Sequence, residues 1–550
     1  GFGSERSWVL IPTPPLSRPP LIWFLGGLMP PLSLSFFQFL AQLMVFMISI
    51  VSSIFCGHLG KVELDAVTLA VSVINVTGIS VGSGLASACD TLMSQSFGGK
   101  NLKRVGIILQ RGILILLLCC FPCWAILINT EQLLLLVKQD PEVSRSDKRL
   151  KYFCILQAAF LYQLQTRYLQ SQGIILPQVI TGFAANIINV GMNAIFLYAL
   201  KLGVVGSAWA NTTSQFTQAT ILFLYVRWKK MHVQTWGGWS SECFQEWDVY
   251  IKLGFPSMIM LCIEWWTFEI GSFLAGLINV AELGAQAIIY QLAIVAYMVP
   301  LGFSVAASVR VGNALGAGNA EQARLSCITV LLCAGGFCAL LLKLSVTADC
   351  FLSSNREIVS LVSHVMLIFA PFHVFDATAG TSGGILRGTG QQKIGAILNA
   401  IGYYGIGFPI GISLMFAANR GIIGLWTGLI VCVFFQTLFF LIFIWKINWK
   451  KAAEQAQVRA GLKGMTDNGI PRAFFVPESE ACDAVVLPDV IRPENQTNHL
   501  VMEESCLYTI NTVGAVLTVK ELIFRRGIVL AVGVVILLAG ILIRLLTGKG

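Results

Sequence analysis

The sequence predicts an all-α polytopic membrane protein: two six-helix bundles related by a pseudo-two-fold axis, plus a thirteenth C-terminal helix. Composition, continuous apolar runs and an internal repeat together predict this fold class. Of the 550 residues, 56% are hydrophobic and 12% are charged, whereas a soluble domain carries about 25% charged residues. The mean hydropathy is +0.75. A chain this apolar cannot cover its surface with polar groups, so a water-soluble fold is excluded.

The charge pattern and the cysteines exclude further classes of function. The net charge is +9, but the basic residues form short clusters between apolar runs rather than the contiguous basic face that nucleic acids require. Most cysteines lie inside apolar runs and act as small hydrophobic residues. Because no metal-ligand spacing recurs, we expect no metal and no cofactor. We also expect no enzyme, because no nucleophile–base pair or phosphate-binding loop is found.

Thirteen apolar runs carry the helix prediction. Each approaches or exceeds the length of about 20 residues that a bilayer-spanning helix requires. The runs are continuous rather than alternating, which excludes a β-barrel. They lie near residues 33–55, 66–88, 105–128, 152–169, 178–200, 203–226, 250–278, 284–307, 325–345, 357–385, 394–417, 422–445 and 527–547.

These runs divide the chain into five parts. Residues 1–32 are rich in proline and are expected to be disordered or poorly defined. Two six-helix lobes follow at 33–230 and 250–446. The polar stretch 447–524 is expected to be a flexible cytoplasmic linker. It leads to the final membrane helix, 525–547, which either packs against a neighbouring helix or simply anchors the chain in lipid.

The basic residues predict the orientation, because cytoplasmic loops carry an excess of lysine and arginine. One loop breaks the rule: Arg145, Lys148, Arg149 and Lys151 would face outside, next to a fourth span with few apolar residues. Either that helix starts late or the stretch is aberrant. A cytoplasmic N-terminus places the other clusters in inside loops: Lys100, Lys103, Arg104, Arg227, Lys229, Lys230, Arg310, Arg324, Arg387, Lys393, Lys450 and Lys451.

An internal repeat at an offset of roughly 218 residues relates the two lobes. Each half holds an even number of spans, so both halves have the same topology, as in parallel repeats related by an axis along the membrane normal. Two such bundles around a central cavity are typical of transporters that alternate access. The matching segments are Glu63–Ala66 with Glu282–Ala285, Phe97–Asn101 with Leu315–Asn319, and Gly203–Gly206 with Gly421–Gly424.

Three carboxylates fall inside predicted spans, where charged groups are costly and usually functional. Glu264 and Glu269 lie in the seventh span and Asp376 in the tenth. Five helical residues separate two side chains by about 140° around the axis, so the two glutamates point to neighbouring faces. A buried carboxyl group favours its protonated form, which suits exchange of a proton for a cation. The alternatives are acids at a helix end or interface, and Asp376 capping a broken helix.

Aromatic and polar side chains accompany these acids. Trp265 and Trp266 could bind an organic cation through cation–π contacts, although packing against lipid explains them equally well. Tyr290 and Gln291 interrupt the eighth span. They are therefore candidates for the substrate site, and the alternative is that they form an ordinary hydrogen bond between helices.

At these residues the chain resembles the multidrug and toxin extrusion (MATE) family in its vertebrate organic-cation form. The resemblance covers about 33–460 and extends to the thirteenth helix. It implies an electroneutral antiporter of two six-helix lobes at apical plasma membranes, which exchanges protons for quaternary ammonium compounds, guanidines and cationic drugs. The matching stretches are Ser52–Gly60, Glu63–Leu69, Ile263–Phe273, Glu282–Gln286, Val299–Gly318 and Thr381–Gly390.

The resemblance assigns roles to individual positions. Glu264 and Glu269 match acidic positions of the family, whereas Gln291 and Asp376 stand where the family has glutamate. Asp376 keeps the charge on a shorter side chain, but Gln291 cannot titrate, which implies a different rate or substrate range. The family's thiol-sensitive positions resemble Cys56 and Cys123.

Three functions are weighed from the sequence. The first is export of organic cations in exchange for protons. The second is sodium-coupled multidrug efflux, since carboxylates serve either ion. The third is a non-transporting membrane receptor or scaffold with structural acids, against which the repeat and the intramembrane acids count.

Overall fold

The computed structural model describes residues 20–57, 72–130, 150–345, 356–465, 471–473 and 517–547. These residues form fourteen long helices, one 3₁₀ helix at Ser241–Phe244 and one short antiparallel hairpin. The helices are α1 Pro20–Gly57, α2 Ser72–Gly98, α3 Leu102–Ile128, α4 Leu150–Ser171, α5 Leu176–Ala199, α6 Val204–Trp228, α7 Trp247–Gly276, α8 Val280–Gly316, α9 Ala320–Ser345, α10 Arg356–Thr389, α11 Gln392–Ala417, α12 Gly421–Trp445, α13 Trp449–Arg459 and α14 Val519–Thr547. The hairpin pairs β1 Lys463–Met465 with β2 Pro471–Ala473.

The predicted fold class is confirmed. Ten helices of the described part are long and apolar enough to cross a membrane. Helices α1–α6 form an N-terminal lobe with a core that includes Leu116, Leu164 and Leu222. Helices α7–α12 form a C-terminal lobe, in which Trp426 is among the largest fully buried side chains.

The pseudo-two-fold axis is visible where α2 crosses α8. Gly98 and Gly316 are equivalent positions in the two halves, 218 residues apart. A Cβ atom at Gly98 would overlap the carbonyl oxygen of Asn313, and one at Gly316 would overlap the carbonyl oxygen of Gln95. Gln95 and Asn313 are also 218 residues apart. The two lobes therefore meet here by reciprocal contact of equivalent backbones, which only glycine permits.

Two predicted spans end too early. The apolar run predicted for α2 stops at residue 88 and the run for α8 stops at 307, but the helices continue to Gly98 and Gly316. Arg310 accordingly lies within α8, not in an inside loop. Arg387 likewise lies within α10, which continues past its predicted end at 385 to Thr389. The reason is that the polar helix ends are buried against the opposite lobe rather than exposed to lipid, so hydropathy does not reveal them.

The N-terminal boundary also differs. Helix α1 begins at Pro20, so residues 20–32 are helical where the sequence predicts a disordered start. Residues 1–19 and the charged loop at 145–149 lie outside the described residues. Helix α4 begins at Leu150.

The first part of the predicted flexible linker is an ordered helix, α13. The Asn448 side chain accepts a hydrogen bond of 3.1 Å from the backbone N–H of Lys451 and so caps its N-terminus. Ala452, Ala453 and Ala456 form a buried stripe at helical spacing. Alanine has high helix propensity and lets helices approach closely. The linker prediction was therefore wrong for 449–459, because a short alanine stripe lacks the bulk that marks an apolar face.

Helix α13 contacts both lobes through its last residue. Arg459 donates hydrogen bonds of 2.9 Å to the Gln95 side chain of α2 and to the Thr389 carbonyl of α10. Burial of its guanidinium lowers the pKa of Arg459 to about 10. In the other direction, the Arg104 side chain of α3 donates to the carbonyl of Arg459 at 3.1 Å. The helix therefore lies across the junction between the lobes.

The final helix α14 packs against α3 rather than only anchoring the chain. A Cβ atom at Gly540 would lie 2.8 Å from Cβ of Ala125, and the Asn129 amide donates to the Gly540 carbonyl at 2.9 Å. At the other end, the Arg526 guanidinium lies 4.2 Å from the centre of the Trp247 ring. Small residues at such contacts let membrane helices approach closely.

Truncation after Leu462 is expected to retain transport in protein that reaches the cell surface. Helix α14 packs on α3 and on the start of α7, away from the intramembrane carboxylates. The measurement is uptake of an organic cation, normalised to surface protein. A matched truncation after Lys446, which also removes α13 and its contacts with both lobes, should lose most of the transport. Equal loss in both truncations would instead place α14 in the working bundle.

Candidate functional site

The structure brings two of the predicted carboxylates together inside the C-terminal lobe. Glu264 of α7 is hydrogen-bonded to the phenol of Tyr297 on α8, and it interacts electrostatically with Asp376 of α10. Asp376 is only 7% exposed. Tyr403 of α11 interacts with both acids. Four helices therefore surround one pair of carboxyl groups, and the sequence did not indicate either tyrosine.

Glu269 lies on a different face of α7, between the lobes. It is hydrogen-bonded to Ser72 of α2 in the N-terminal lobe. On the C-terminal side, the Tyr290 hydroxyl of α8 donates to its carboxylate at 3.4 Å. The placement agrees with the helical geometry that puts Glu264 and Glu269 on neighbouring faces. Glu269 is therefore the predicted acid that touches both lobes.

Trp266 contributes to the same junction between α7 and α2. Its indole N–H donates to the carbonyl of Val76 at 3.0 Å. Val76 lies in the π-helical turn Asn75–Ile79, where the wider winding alters the regular backbone hydrogen bonds. One turn further along, the Cys262 thiol lies 3.6 Å from the Ser80 hydroxyl. The exposed fraction of Trp266 is 38%, so one face of the ring stays open.

An aromatic wall separates Glu269 from the core of the C-terminal lobe. Tyr290 stacks on Phe268 with ring centres 5.7 Å apart and planes at 18°. Phe268 lies 6.3 Å from the ring of Trp426, whose indole N–H donates to Gln286 at 2.9 Å. Sequence reasoning selected Tyr290 but missed Trp426, because one tryptophan in an apolar span carries no distinguishing signal.

The other predicted site residues differ in their exposure. Gln291 is exposed, one position after Tyr290, and Trp265 is partly buried. Exposure of Gln291 argues against the alternative in which its amide is used in packing between helices. Cys56, at the end of α1, and Cys123, in α3, are 0% and 3% exposed. A thiol reagent reaches either cysteine only when its surroundings move.

A buried charge cluster that the sequence analysis did not single out lies between the lobes. The carboxylate of Asp90 in α2 is 3.3 Å from the Arg167 guanidinium of α4 and 3.8 Å from that of Arg387 in α10. Nearby, Arg104 and Arg111 of α3 bind Glu246 at 2.7 and 3.1 Å. The one sequence signal for this cluster is Asp90 itself, an acid directly after an apolar run. Its partners are distant in sequence, so the pairing cannot be read from the sequence.

Further polar contacts join the lobes at the same end, near residues 98–101 and 316–319, which we call the basic end. Thr91 of α2 donates to the Arg387 carbonyl at 2.6 Å, and Gln95 donates to the Gly388 carbonyl at 2.9 Å. With the glycine contacts between α2 and α8, these bonds hold the two lobes together there. The conformation described is therefore closed at the basic end.

A helical bundle of two repeated lobes, with carboxylates inside and between them, is typical of a multi-pass membrane transporter. Comparison with known proteins identifies the family. The MatE family model matches twice, at residues 38–195 and 256–412, and the two matches start 218 residues apart. The chain belongs to the MatE family.

Relatives with high identity carry transporter names. Multidrug and toxin extrusion protein 2 of Mus musculus is 69% identical over 93% of this chain and 91% of its own length. Multidrug and toxin extrusion protein 1 of Homo sapiens is 54% identical over 92% of this chain and 91% of its own. The chain is thus similar to multidrug and toxin efflux transporters along nearly its whole length.

Solved structures agree on the fold. The eukaryotic MATE transporter AtDTX14 superposes with a TM-score of 0.76 at 29% identity, over 80% of this chain and 99% of that one. The Vibrio cholerae MATE transporter VcmN, in its bent form, has a TM-score of 0.66 at 16% identity, over 79% of this chain and 99% of that one. The second likeness concerns the fold alone.

Proposed function

We propose that this protein exports organic cations in exchange for protons at the apical plasma membrane. The observation that carries the proposal is the pairing of Glu264 with Asp376 inside the C-terminal lobe. Two carboxylates close together in a low-dielectric site repel each other, so the pair is stable when it shares a proton or binds a cation. A proton and an organic cation therefore compete for the same place, which is the requirement for exchange.

The two lobes, residues 33–230 and 250–446, supply the movement. The positive-inside rule places the basic end at the cytoplasmic side. Because the protein is closed there, the substrate is released at the opposite, outer side. Rocking of one lobe against the other would break the contacts at the basic end and admit a cytoplasmic cation. Because Glu269 is hydrogen-bonded to Ser72 of the N-terminal lobe, this movement would change the surroundings of its carboxylate directly.

The aromatic residues suit an organic cation as substrate. Tyr290 and Trp266 flank Glu269, and an aromatic face stabilises a quaternary ammonium or guanidinium group without requiring hydrogen bonds from it. Drugs and toxins appear in the names of the similar proteins. Sodium is the competing coupling ion, because carboxylate oxygens are also ligands for hard cations.

The test is uptake of a fluorescent organic cation into membrane vesicles. Under an imposed pH gradient with the lumen acidic and sodium absent, we expect the cation to accumulate, and collapsing the gradient should stop it. Empty vesicles control for passive partition. Accumulation that instead requires a sodium gradient at uniform pH would replace the proton as coupling ion. Accumulation under neither gradient would contradict transport.

Gln291→Glu is expected to alter the pH dependence of transport rather than to create it. A carboxylate at this exposed position adds negative charge next to Tyr290, whose hydroxyl donates to Glu269. A carboxylate beside another negative charge holds its proton to higher pH. The pH optimum of transport should therefore move upward, by up to about one unit. Uptake of the cation against external pH, normalised to surface protein, measures this. Superimposable profiles would mean that the side chain at position 291 does not affect the site around Glu269.

A further inference from the structure

We infer that Arg387 is a positioning residue that links the carboxyl pair of the C-terminal lobe to the closure of the basic end. The inference rests on the proton-coupled exchange proposed above and adds the element that transmits it. Arg387 lies on α10, the helix that also carries Asp376. No role follows for it from the sequence, which places it in an inside loop.

The contacts of Arg387 point in two directions. Toward the N-terminal lobe, its Nε atom lies 3.8 Å from the carboxylate of Asp90, and its backbone carbonyl accepts the Thr91 hydroxyl at 2.6 Å. Toward the C-terminal lobe, a terminal nitrogen donates to the Ser304 hydroxyl of α8 at 2.8 Å. The same guanidinium interacts electrostatically with Glu264.

The Ser304 contact extends this link into the carboxyl site. The Ser304 hydroxyl donates to the carbonyl of Gly380 at 2.6 Å. A Cβ atom at Gly380 would lie 3.0 Å from the Tyr297 hydroxyl, which is hydrogen-bonded to Glu264. Arg387 and Asp90 are 8% and 7% exposed. Buried charges interact more strongly than exposed ones because water screens them less.

The titratable groups that interact with Arg387 come from four other helices. Asp90 of α2 and Glu264 of α7 are negative, and Arg167 of α4 is positive. Tyr297 of α8 is close to both Arg387 and Glu264. One arginine thus faces two carboxylates in different lobes. The guanidinium is attracted to each carboxylate when that carboxylate is ionised. Protonation of Glu264 leaves Asp90 as its partner, which holds the basic end closed.

This arrangement predicts pH shifts of opposite sign. Arg387→Gln removes the cation that favours ionised Glu264, so exchange should need a higher pH, by about one unit. Asp90→Asn removes the competing anion and leaves Arg387 free to favour ionised Glu264, so the midpoint should fall. In the double variant the Asp90→Asn change should add nothing, because its effect passes through Arg387.

The experiment measures organic-cation exchange against pH in proteoliposomes that contain each purified variant. Arg387→Lys keeps the charge and should restore the midpoint of the wild type, although its shorter head group weakens closure and lowers the rate. The control is Arg104→Gln, which breaks another buried ion pair, with Glu246, and should leave the midpoint unchanged. If Arg387→Gln does not fold, the downward shift in Asp90→Asn alone tests the inference.

The outcomes separate the two claims. Absence of pH-driven exchange in the wild type would contradict the proposed function itself. Normal titration of the wild type with unmoved midpoints in Asp90→Asn and Arg387→Gln would overturn the role of Arg387 alone. Shifts of the same sign in both variants would also overturn it, because the inferred role requires shifts of opposite sign. A merely structural defect has no reason to follow the sign of the charge removed.

Discussion

Glu264→Gln is expected to abolish transport driven by a pH gradient while leaving the protein in the membrane. The amide fits the space of the carboxyl group and can still hydrogen-bond to Tyr297, but it neither releases a proton nor carries a charge for a cation. Asp376 alone then faces the substrate. The measurement is cation accumulation under a lumen-acidic gradient, divided by the amount of protein at the surface. We expect a loss of at least about 100-fold, the range typical of a lost proton-transfer group.

Glu269→Asp is the matched control on the same helix. It keeps the charge and shortens the side chain by one methylene, so its bonds to Ser72 and Tyr290 lengthen but the site stays anionic. We expect a reduced rate rather than a loss. Unchanged exchange in Glu264→Gln would remove Glu264 from the mechanism, whatever the result at Glu269.

Gly316→Val is expected to be the most damaging substitution outside the carboxyl site. A Cβ atom there overlaps the backbone of Gln95, so α2 and α8 must move apart. Overpacking of this kind typically costs about 1–3 kcal/mol. Here the cost falls on the conformation closed at the basic end, which should become rarer by a factor of roughly 5 to 150. Transport normalised to surface protein should fall accordingly.

Gly336→Val in α9 is the control for size and helix propensity. Apart from its chain neighbours and the nearby backbone of α9 itself, no atom of the described residues lies within 4 Å of a Cβ atom placed there. It should transport like the wild type. Normal transport by Gly316→Val would mean that the reciprocal glycine contact is not needed for closure.

The helices were predictable because a bilayer-spanning segment must be both long and apolar. The predicted starts and ends of α3, α5 and α12 agree with the structure to within a few residues. The carboxylates were predictable for the related reason that charge inside a membrane is rare. The repeat at an offset of about 218 residues likewise predicted the axis at which Gly98 and Gly316 meet.

The contacts between the lobes were not predictable from one sequence. Asp90 and Arg387 are almost 300 positions apart, and nothing in hydropathy or spacing pairs them. Burial of polar side chains against another helix, as at Gln95, removes the exposure that polarity normally indicates. For the same reason the sequence predicts a linker where α13 lies. The buried face of α13 is made of alanines, and its docking depends on contacts of Arg459 with two other helices.

The most direct test of the central claim is proton movement driven by the organic cation itself. Purified protein is placed in liposomes that hold a pH-sensitive dye, with equal pH on both sides and no sodium. Adding the cation outside should raise the luminal pH as protons leave in exchange, and Glu264→Gln liposomes should show no change. Cation uptake without any change in luminal pH would contradict proton exchange and, with it, the role assigned to the carboxyl pair.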